Sequence, residues 1–104
     1  MTSPDDHALV SAFLAGDARA FDTLAARYSA LIYTVALSRI RNHEDAEEIA
    51  SETLVRLHRG LRTFRWECSL KTFICQITVR LAINRYKKNR RQRITDSLNE
   101  PIGD

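Results

Sequence analysis

Chain-breaking residues are scarce in this sequence, and their scarcity limits the folds that it can adopt. The 104 residues include three glycines and two prolines. Because these residues supply most tight turns, a chain with so few of them has few and short loops. Four segments carry apolar residues at spacings of three and four, which is the period of an amphipathic helix, and no convincing strand pattern occurs. The sequence therefore predicts an all-α fold, a compact bundle of about four helices.

Polar residues that can cap a helix stand at the start of each segment. A side-chain oxygen at this position accepts a hydrogen bond from a free backbone N–H of the first turn. The four candidates are Ser3, Asp17, Asn42 and Ser69. We expect the second helix to end near Ile40, the third at Gly60 and the fourth near Arg91. Residues 1–93 then form one domain, and residues 94–104 form a tail or the start of an interdomain linker.

The beginning of the fourth segment is ambiguous. The stretch TFICQITV is also compatible with a buried strand because it is rich in β-branched and aromatic residues. The sequence offers this strand no partner, and a helical projection separates apolar from polar positions, so a helix is preferred. The projection predicts two apolar stripes, Leu70, Ile74, Ile77 and Leu81 in one and Cys75, Val79, Ala82 and Tyr86 in the other. Between them lies a polar seam that should face solvent or a ligand: Gln76, Arg80, Asn84, Lys87 and Arg91.

Charge is divided unevenly along the chain. Residues 1–52 contain four Arg or Lys and nine Asp or Glu, a net charge of 4 − 9 = −5. Residues 53–104 contain twelve and four, a net charge of 12 − 4 = +8. Most acids of the third helix lie in its first two turns. Carboxylates at this position usually interact with the positive end of the helix dipole, so we do not expect them to be catalytic. The two halves predict two surfaces with different partners.

Several classes of protein find no support in the sequence. No apolar run approaches the ~20 residues of a membrane span, and the acidic N-terminus lacks the order of a secretion signal. Cys68 and Cys75 lack the spacing of a zinc site or a disulfide framework and fit a reducing cytoplasm. No nucleophile–base pair or glycine-rich phosphate loop occurs. We therefore expect no enzymatic activity, no cofactor, no metal site and no membrane association.

A basic segment and an aromatic loop lie in the second half of the chain. Six cations occur in the nine residues from Arg85 to Arg93. This density is typical of nucleic-acid binding, although a solvated helix end, whose cations suit the negative end of the dipole, has the same composition. The polar seam aligns Arg and Asn side chains, which can read base edges, with cations that hold phosphates. Phe64 and Trp66 lie among arginines, where they can either stack on single-stranded bases or pack against the last helix.

Three blocks follow one another in this chain: DARAFDTLAARY from Asp17, NHEDAEEIASET from Asn42 and FRWECSLKTF from Phe64. In order and spacing they resemble region 2 of bacterial extracytoplasmic-function (ECF) sigma factors, which belong to the sigma-70 family. The resemblance covers about residues 5–93. It implies a transcription initiation domain that docks on core RNA polymerase and recognises and melts the promoter minus-ten element. It also implies a bacterial cytoplasmic protein that associates with the nucleoid.

The resemblance assigns the two surfaces to two partners. The exposed face of the third helix would dock on the clamp helices of the largest polymerase subunit, and its residues are Asp45, Glu48, Ser51, Glu52, Val55, Arg56 and Arg59. The loop from Leu61 to Ser69 would receive a flipped base of the non-template strand, and the last helix would contact the minus-ten element. The candidate DNA-binding residues are Arg62, Phe64, Arg65, Trp66, Ser69, Lys71, Gln76, Arg80, Asn84, Arg85, Lys87, Lys88 and Arg91. An anti-sigma factor that covers these surfaces is a further implied partner.

Four residues depart from the usual pattern of the family, which has Gln, Gly, Trp and Asn where this chain has Ser51, Trp66, Phe73 and Arg80. Arginine prefers guanine edges or phosphates, so no minus-ten sequence is predicted. No second helix-turn-helix domain for the minus-thirty-five element follows in the sequence. We expect this chain to be part of a longer factor. Two other interpretations stay open. One is a helical protein-interaction module whose basic helix binds an acidic partner, and the other is a non-specific nucleic-acid-binding domain.

Overall fold

Four α-helices make up the fold in the computed structural model, which describes residues 4–99. They are α1 (Asp6–Leu14), α2 (Ala18–Ile40), α3 (His43–Gly60) and α4 (Leu70–Asn99). No β-strand occurs in this part of the chain, and TFICQITV belongs to α4, so the all-α prediction is confirmed. α2 packs against each of the other helices, and α3 also packs against α4. The longest connection, residues 61–69, joins α3 to α4 and contains the aromatic loop.

Capping residues begin the helices largely as predicted. Each of three predicted caps accepts a backbone N–H of the first turn: Asp17 from Arg19 (3.0 Å), Asn42 from Asp45 (2.9 Å) and Ser69 from Thr72 (3.1 Å). The prediction for α1 is wrong, because this helix begins at Asp6 and its N-cap is Asp5, which accepts from Ala8 N–H at 2.8 Å. Ser3 lies outside the described residues. Asp5 competes well for the cap because its carboxylate also suits the positive end of the helix dipole.

The core lies between α2, α3 and α4, and α1 adds Leu9 and Val10 to it. The buried side chains of α3 are Ala46, Ile49, Thr53 and Leu57, which recur at helical spacing on the side opposite to the predicted docking face. Leu24 and Ile32 of α2 and Ile74 of α4 are fully enclosed against them. α3 is therefore fixed by one apolar face, which leaves its acidic face toward solvent.

The burial pattern of α4 differs from the two predicted apolar stripes. One row lies deepest, and it consists of Leu70, Ile74, Thr78 and Ala82. The remaining stripe residues, apart from exposed Tyr86, are half-buried beside this row because α4 packs between α2 and α3. Burial of Thr78 is not predicted by the apolar stripes because threonine is polar. Its hydroxyl donates to the Ile74 carbonyl (3.0 Å) and lies 3.3 Å from the Thr53 hydroxyl. A buried hydroxyl with such partners avoids the cost of desolvation.

α4 continues beyond its predicted end near Arg91 and reaches Asn99, so that prediction is wrong. All residues from 91 to 99 are exposed, and the molecule is 67 Å long in its longest dimension. The sequence gives this end no apolar period, but Arg, Gln and Leu have high intrinsic helix propensity. Gln92 also donates to Asp96 one turn later, at 3.0 Å. The assignment of residues 94–104 to a linker stays a prediction, and residues 100–104 lie outside the described part.

Candidate functional site

Four aromatic rings form a continuous stack that connects α4, the loop and α1. Phe73 of α4 stacks on Phe64 of the loop, with ring centroids 4.6 Å apart and planes inclined by 13°. Phe64 contacts Trp66 in a tilted arrangement at 4.7 Å, and Trp66 stacks on His7 of α1 at 3.6 Å and 17°. Phe64 and Trp66 are half-buried and pack against the hydrophobic core. Core packing is therefore confirmed for both rings, which remain partly accessible, and stacking on bases stays a prediction.

The backbone of Trp66 adopts the left-handed conformation, with φ = 57°. This conformation costs an L-residue with a side chain roughly 1–2 kcal/mol, whereas glycine adopts it freely. The family pattern usually has glycine at this position, which the conformation explains. Here the bulky indole is accommodated because it gains stacking partners on the neighbouring chain segments.

The N-terminal end of α1 is tied to α2 next to the aromatic stack. Arg27 donates to the Asp6 carboxylate through Nη1 (2.9 Å) and to the Pro4 carbonyl through Nη2 (2.7 Å). The Tyr28 hydroxyl donates to the other carboxylate oxygen of Asp6. Burial, followed by this hydrogen bond to Asp6, raises the pKa of Tyr28 to about 12. Asp6 is thereby fixed, and the adjacent His7 is held beside the loop.

The predicted polar seam of α4 is exposed along its whole length. The part of the seam nearest the start of α4 borders a groove. The apolar residues that line this groove are Cys75, Val79 and Ile83, and the polar ones include Lys71, Gln76, Arg80 and Asn84. Arg80 also lines a cleft between α3 and α4 that includes Glu52 and Phe73. The exposed candidate DNA-binding residues are Arg62, Arg65, Ser69, Lys71, Gln76, Arg80, Asn84, Lys87, Lys88 and Arg91. Phe73 of the aromatic stack and Arg80 of the seam line the same cleft, so these two parts of the site lie side by side.

Arg85 differs from the other cations of the basic segment because acidic side chains of α3 hold it. Its Nη1 lies 2.7 Å from Asp45 Oδ1 and 2.8 Å from Glu48 Oε2. The hydrogen bond that Arg85 donates to Glu48, with a further one to Asp45, raises the pKa of Arg85 against the effect of burial. Asn89 donates to the second oxygen of Asp45 at 2.8 Å. Arg85, predicted to bind DNA, and two residues predicted to bind polymerase therefore bind one another.

The remaining candidate docking residues of α3 form an exposed surface. Apart from half-buried Asp45, the residues of this face are exposed, including Val55, whose exposure of 44% is high for an apolar side chain. A shallow groove on this face is lined by Glu44, Glu47, Glu48, Ser51, Glu52 and Val55. Glu52 pairs with Arg56 one turn later, at 3.2 Å. The face is acidic at its first turns and basic toward its end, where Arg59 lies.

Sequence reasoning missed two parts of the site, His7 and the bonds between α3 and α4. His7 lies 59 positions before Trp66 in the sequence, and no local pattern indicates that their rings meet. Arg85 and Asp45 are 40 positions apart. The sequence shows only that α3 carries acids and α4 carries cations. This pattern does not identify which acid binds which cation.

The described residues offer no arrangement for a metal ion, since no group of three or more His, Cys, Asp or Glu side chains converges within residues 4–99. In the same part of the chain, no helix combines the length and the apolar character needed to cross a bilayer. Cys68 and Cys75 are free thiols. The predicted absence of a cofactor and of enzymatic activity stays a prediction.

The aromatic loop, the α4 seam and the α3 face lie within or beside a segment that matches a known family. Residues 24–92 match Sigma-70 region 2. The match covers more than half of the chain, and the chain belongs to the Sigma-70 region 2 family. Sigma factors are regulators of transcription, which agrees with the function implied by the three sequence blocks.

Similar proteins indicate which group of sigma factors the chain resembles. The chain is 29% identical over 83 residues to the ECF RNA polymerase sigma factor SigM of Mycobacterium tuberculosis, covering 80% of this chain and 42% of that protein. It is 29% identical over 84 residues to the RNA polymerase sigma-H factor of Pseudomonas aeruginosa (81% and 44%). It is 30% identical over 79 residues to the ECF RNA polymerase sigma-E factor of Haemophilus influenzae (76% and 41%). The predicted resemblance to region 2 of ECF sigma factors is confirmed, and the chain spans less than half the length of these relatives.

Proposed function

We propose that this domain acts in transcription initiation by docking on core RNA polymerase through α3 and holding the melted minus-ten element on the aromatic loop and α4. The observation that carries the proposal is the position of Phe64 and Trp66, which lie half-buried in a loop with exposed arginines. Phe64 stacks on Phe73, which lines a cleft together with Arg80 of the α4 seam. Aromatic rings among cations suit unpaired bases, because each base that stacks on a ring gains roughly 1–3 kcal/mol. Extruding a base from duplex costs a few kcal/mol, which such contacts can offset.

On α4, different side chains serve different parts of the DNA. Arg80 and Asn84 lie nearer the loop end of α4 than Lys87 and Arg91 do, and they have polar groups that read base edges. Lys87 and Arg91 continue the same exposed line and hold phosphates. Arg85 is left out of this DNA-binding set, because its guanidinium is neutralised by two carboxylates of α3.

The polymerase clamp helices bind the exposed face of α3 in this proposal. Glu52, Ser51 and Val55 form its centre, since they are exposed and Asp45 is engaged by Arg85 and Asn89. The carboxylates provide electrostatic complementarity to a basic partner, and Val55 provides apolar contact. An anti-sigma factor that covers either surface would keep the domain inactive. The site of action is then the bacterial cytoplasm, at the nucleoid.

A comparison of single-stranded with duplex DNA tests the base-binding role. Trp66→Ala and Phe64→Ala should weaken binding of a single-stranded minus-ten oligonucleotide about tenfold, and binding of the duplex less, because one stacked base is lost. Fluorescence anisotropy at constant salt measures both affinities. The control is Arg19→Ala, which removes an exposed cation at the start of α2 and should change neither. Equal losses on both DNA forms would contradict base binding by the loop.

A charge reversal on α3 tests the docking role. Glu52→Arg should abolish binding to core RNA polymerase and leave the melting temperature nearly unchanged, since its ion pair with Arg56 is exposed and contributes little to stability. Asp22→Arg, an equal change of charge at an exposed position of α2, is the control. Binding to immobilised polymerase measures the effect. Wild-type affinity of Glu52→Arg would rule out this face as the docking surface.

Two further experiments separate the proposal from the alternatives. A non-specific nucleic-acid-binding domain would bind oligonucleotides of native and scrambled minus-ten sequence equally, with an affinity that falls steeply as salt rises. A protein-interaction module would bind its acidic partner without competition from either strand. Preferential competition by the native single strand is the expected result for a promoter-binding domain.

A further inference from the structure

One face of Trp66 is covered by a ring from outside the loop. The His7 imidazole lies parallel to the indole within 17°, and the ring centroids are 3.6 Å apart. At this separation the two rings are in face-to-face van der Waals contact. Phe64, the other aromatic neighbour of Trp66 within residues 4–99, meets it at a steep inclination of 47°. Among the described aromatic contacts of Trp66, only the one with His7 is a parallel stack.

An unpaired nucleobase would use the same face of Trp66. Planar bases bind aromatic side chains by parallel stacking, and they gain more from it than a small imidazole does because their rings offer more area. His7 and a base therefore cannot occupy this face together. The imidazole must leave this face before a base can stack on it.

The local structure allows His7 to leave without unfolding α1. The backbone beside it is anchored through Asp6, which Arg27 and Tyr28 hold. His7 itself is an exposed residue of the first turn of α1. Rotation about its side-chain bonds therefore suffices, and exposed side chains change rotamer within nanoseconds.

We propose that His7 is a resident ring that occupies the base-stacking face of Trp66 until an extruded nucleobase displaces it. The inference rests on the proposed function of the loop and adds the regulation of that site. Paired bases in duplex DNA are already stacked and cannot exchange with the imidazole. His7 thereby lowers affinity for single strands and keeps the indole covered in the free protein.

The test exploits the single tryptophan of the chain, whose fluorescence reports on this stack. His7→Ala should increase quenching of Trp66 emission by acrylamide, and unchanged quenching would overturn the proposal. In a titration with a mixed-sequence single strand of about twelve nucleotides, which spans one or more binding sites of this kind, His7→Ala should bind roughly two- to tenfold more tightly than wild type. His7→Phe keeps a stacking ring and should bind no more tightly than wild type. Anisotropy of the labelled strand at fixed pH and salt measures all variants.

Two controls separate this inference from the proposed function. An abasic strand of equal length should bind wild type and His7→Ala equally, because it retains phosphates and lacks bases. In a Trp66→Ala background, His7→Ala should have no further effect. If Trp66→Ala itself binds the normal strand like wild type, base binding by the loop is wrong. If Trp66→Ala weakens binding and His7→Ala does not strengthen it, the loop binds bases and only the displacement of His7 is wrong.

Discussion

Replacing Arg85 with glutamine should lower the stability of the domain and leave the proposed binding of the domain to DNA phosphates unchanged. Arg85 joins α4 to α3 through Asp45 and Glu48, and its side chain is only 25% exposed. The glutamine cannot bridge both carboxylates with a positive charge. Asp45 and Glu48 then face each other across one helical turn without a counter-charge, and like charges at this spacing repel.

The contact with Asp45 should account for most of the loss. Hydrogen bonds to charged groups contribute about 1.5–3 kcal/mol each when they are shielded from water. Asp45 is 20% exposed and qualifies, whereas Glu48 is 64% exposed and contributes far less because water screens the pair. We expect a total of about 2 kcal/mol. For a domain of this size, that corresponds to a decrease in Tm of roughly 8–16 °C.

The matched control is Arg91→Gln, at an exposed position of the same helix. It should leave Tm unchanged, and it should reduce the slope of log affinity for single-stranded DNA against log salt by about 0.7, the contribution of one phosphate contact. Arg85→Gln should lower Tm and leave that slope unchanged. Circular dichroism melting and salt titrations measure both quantities. An unchanged Tm with a reduced slope for Arg85→Gln would show that Arg85 binds DNA, and the structural reasoning would be wrong.

Three further predictions concern the backbone and the α1 anchor. Arg41 ends α2 in the left-handed conformation, with φ = 53°, so Arg41→Gly should stabilise the domain by about 1 kcal/mol and raise Tm by roughly 4–8 °C; no increase would contradict the strain. Trp66→Gly should be more stable than Trp66→Ala by about 1 kcal/mol and should therefore have the higher Tm. Both variants lose the aromatic stack, but only glycine adopts the left-handed backbone conformation without strain, and equal Tm values would refute this. Tyr28 has a folded-state pKa of about 12 against an ordinary value of 10.0, so the folded protein keeps this proton longer than the unfolded chain. Stability should therefore fall between about pH 10 and pH 12 more steeply in wild type than in Tyr28→Phe, measured by urea unfolding, and parallel pH profiles would exclude the effect.

Local interactions explain which parts of the fold could be predicted. The sequence predicts three of the caps, Asp17, Asn42 and Ser69, because a cap bonds to a backbone group only two or three residues away. The prediction of Ser3 as the cap of α1 is wrong because Asp5, two residues later, accepts the first-turn N–H and also suits the helix dipole. The predicted end of α4 near Arg91 is wrong because an exposed helix needs no apolar period, and residues 92–99 have none.

The candidate site was predictable in its composition and not in its connections. The exposed seam and the acidic face of α3 follow from helical projection, which assigns each residue to a side of its own helix. Projection does not determine how far one helix is rotated against another. That rotation places Arg85 between two carboxylates rather than toward solvent, and it makes Thr78 the centre of the buried row.

The four helices, the division of charge and the resemblance to region 2 of ECF sigma factors all follow from the amino-acid sequence. These properties depend on residues that are close along the chain, or on the order of short blocks. Only the tertiary structure decided that His7 covers Trp66 and that Arg85 binds α3, because these contacts join residues 59 and about 40 positions apart. Such contacts form when packing of the apolar faces sets the position of every helix, and no local pattern in the chain encodes them separately.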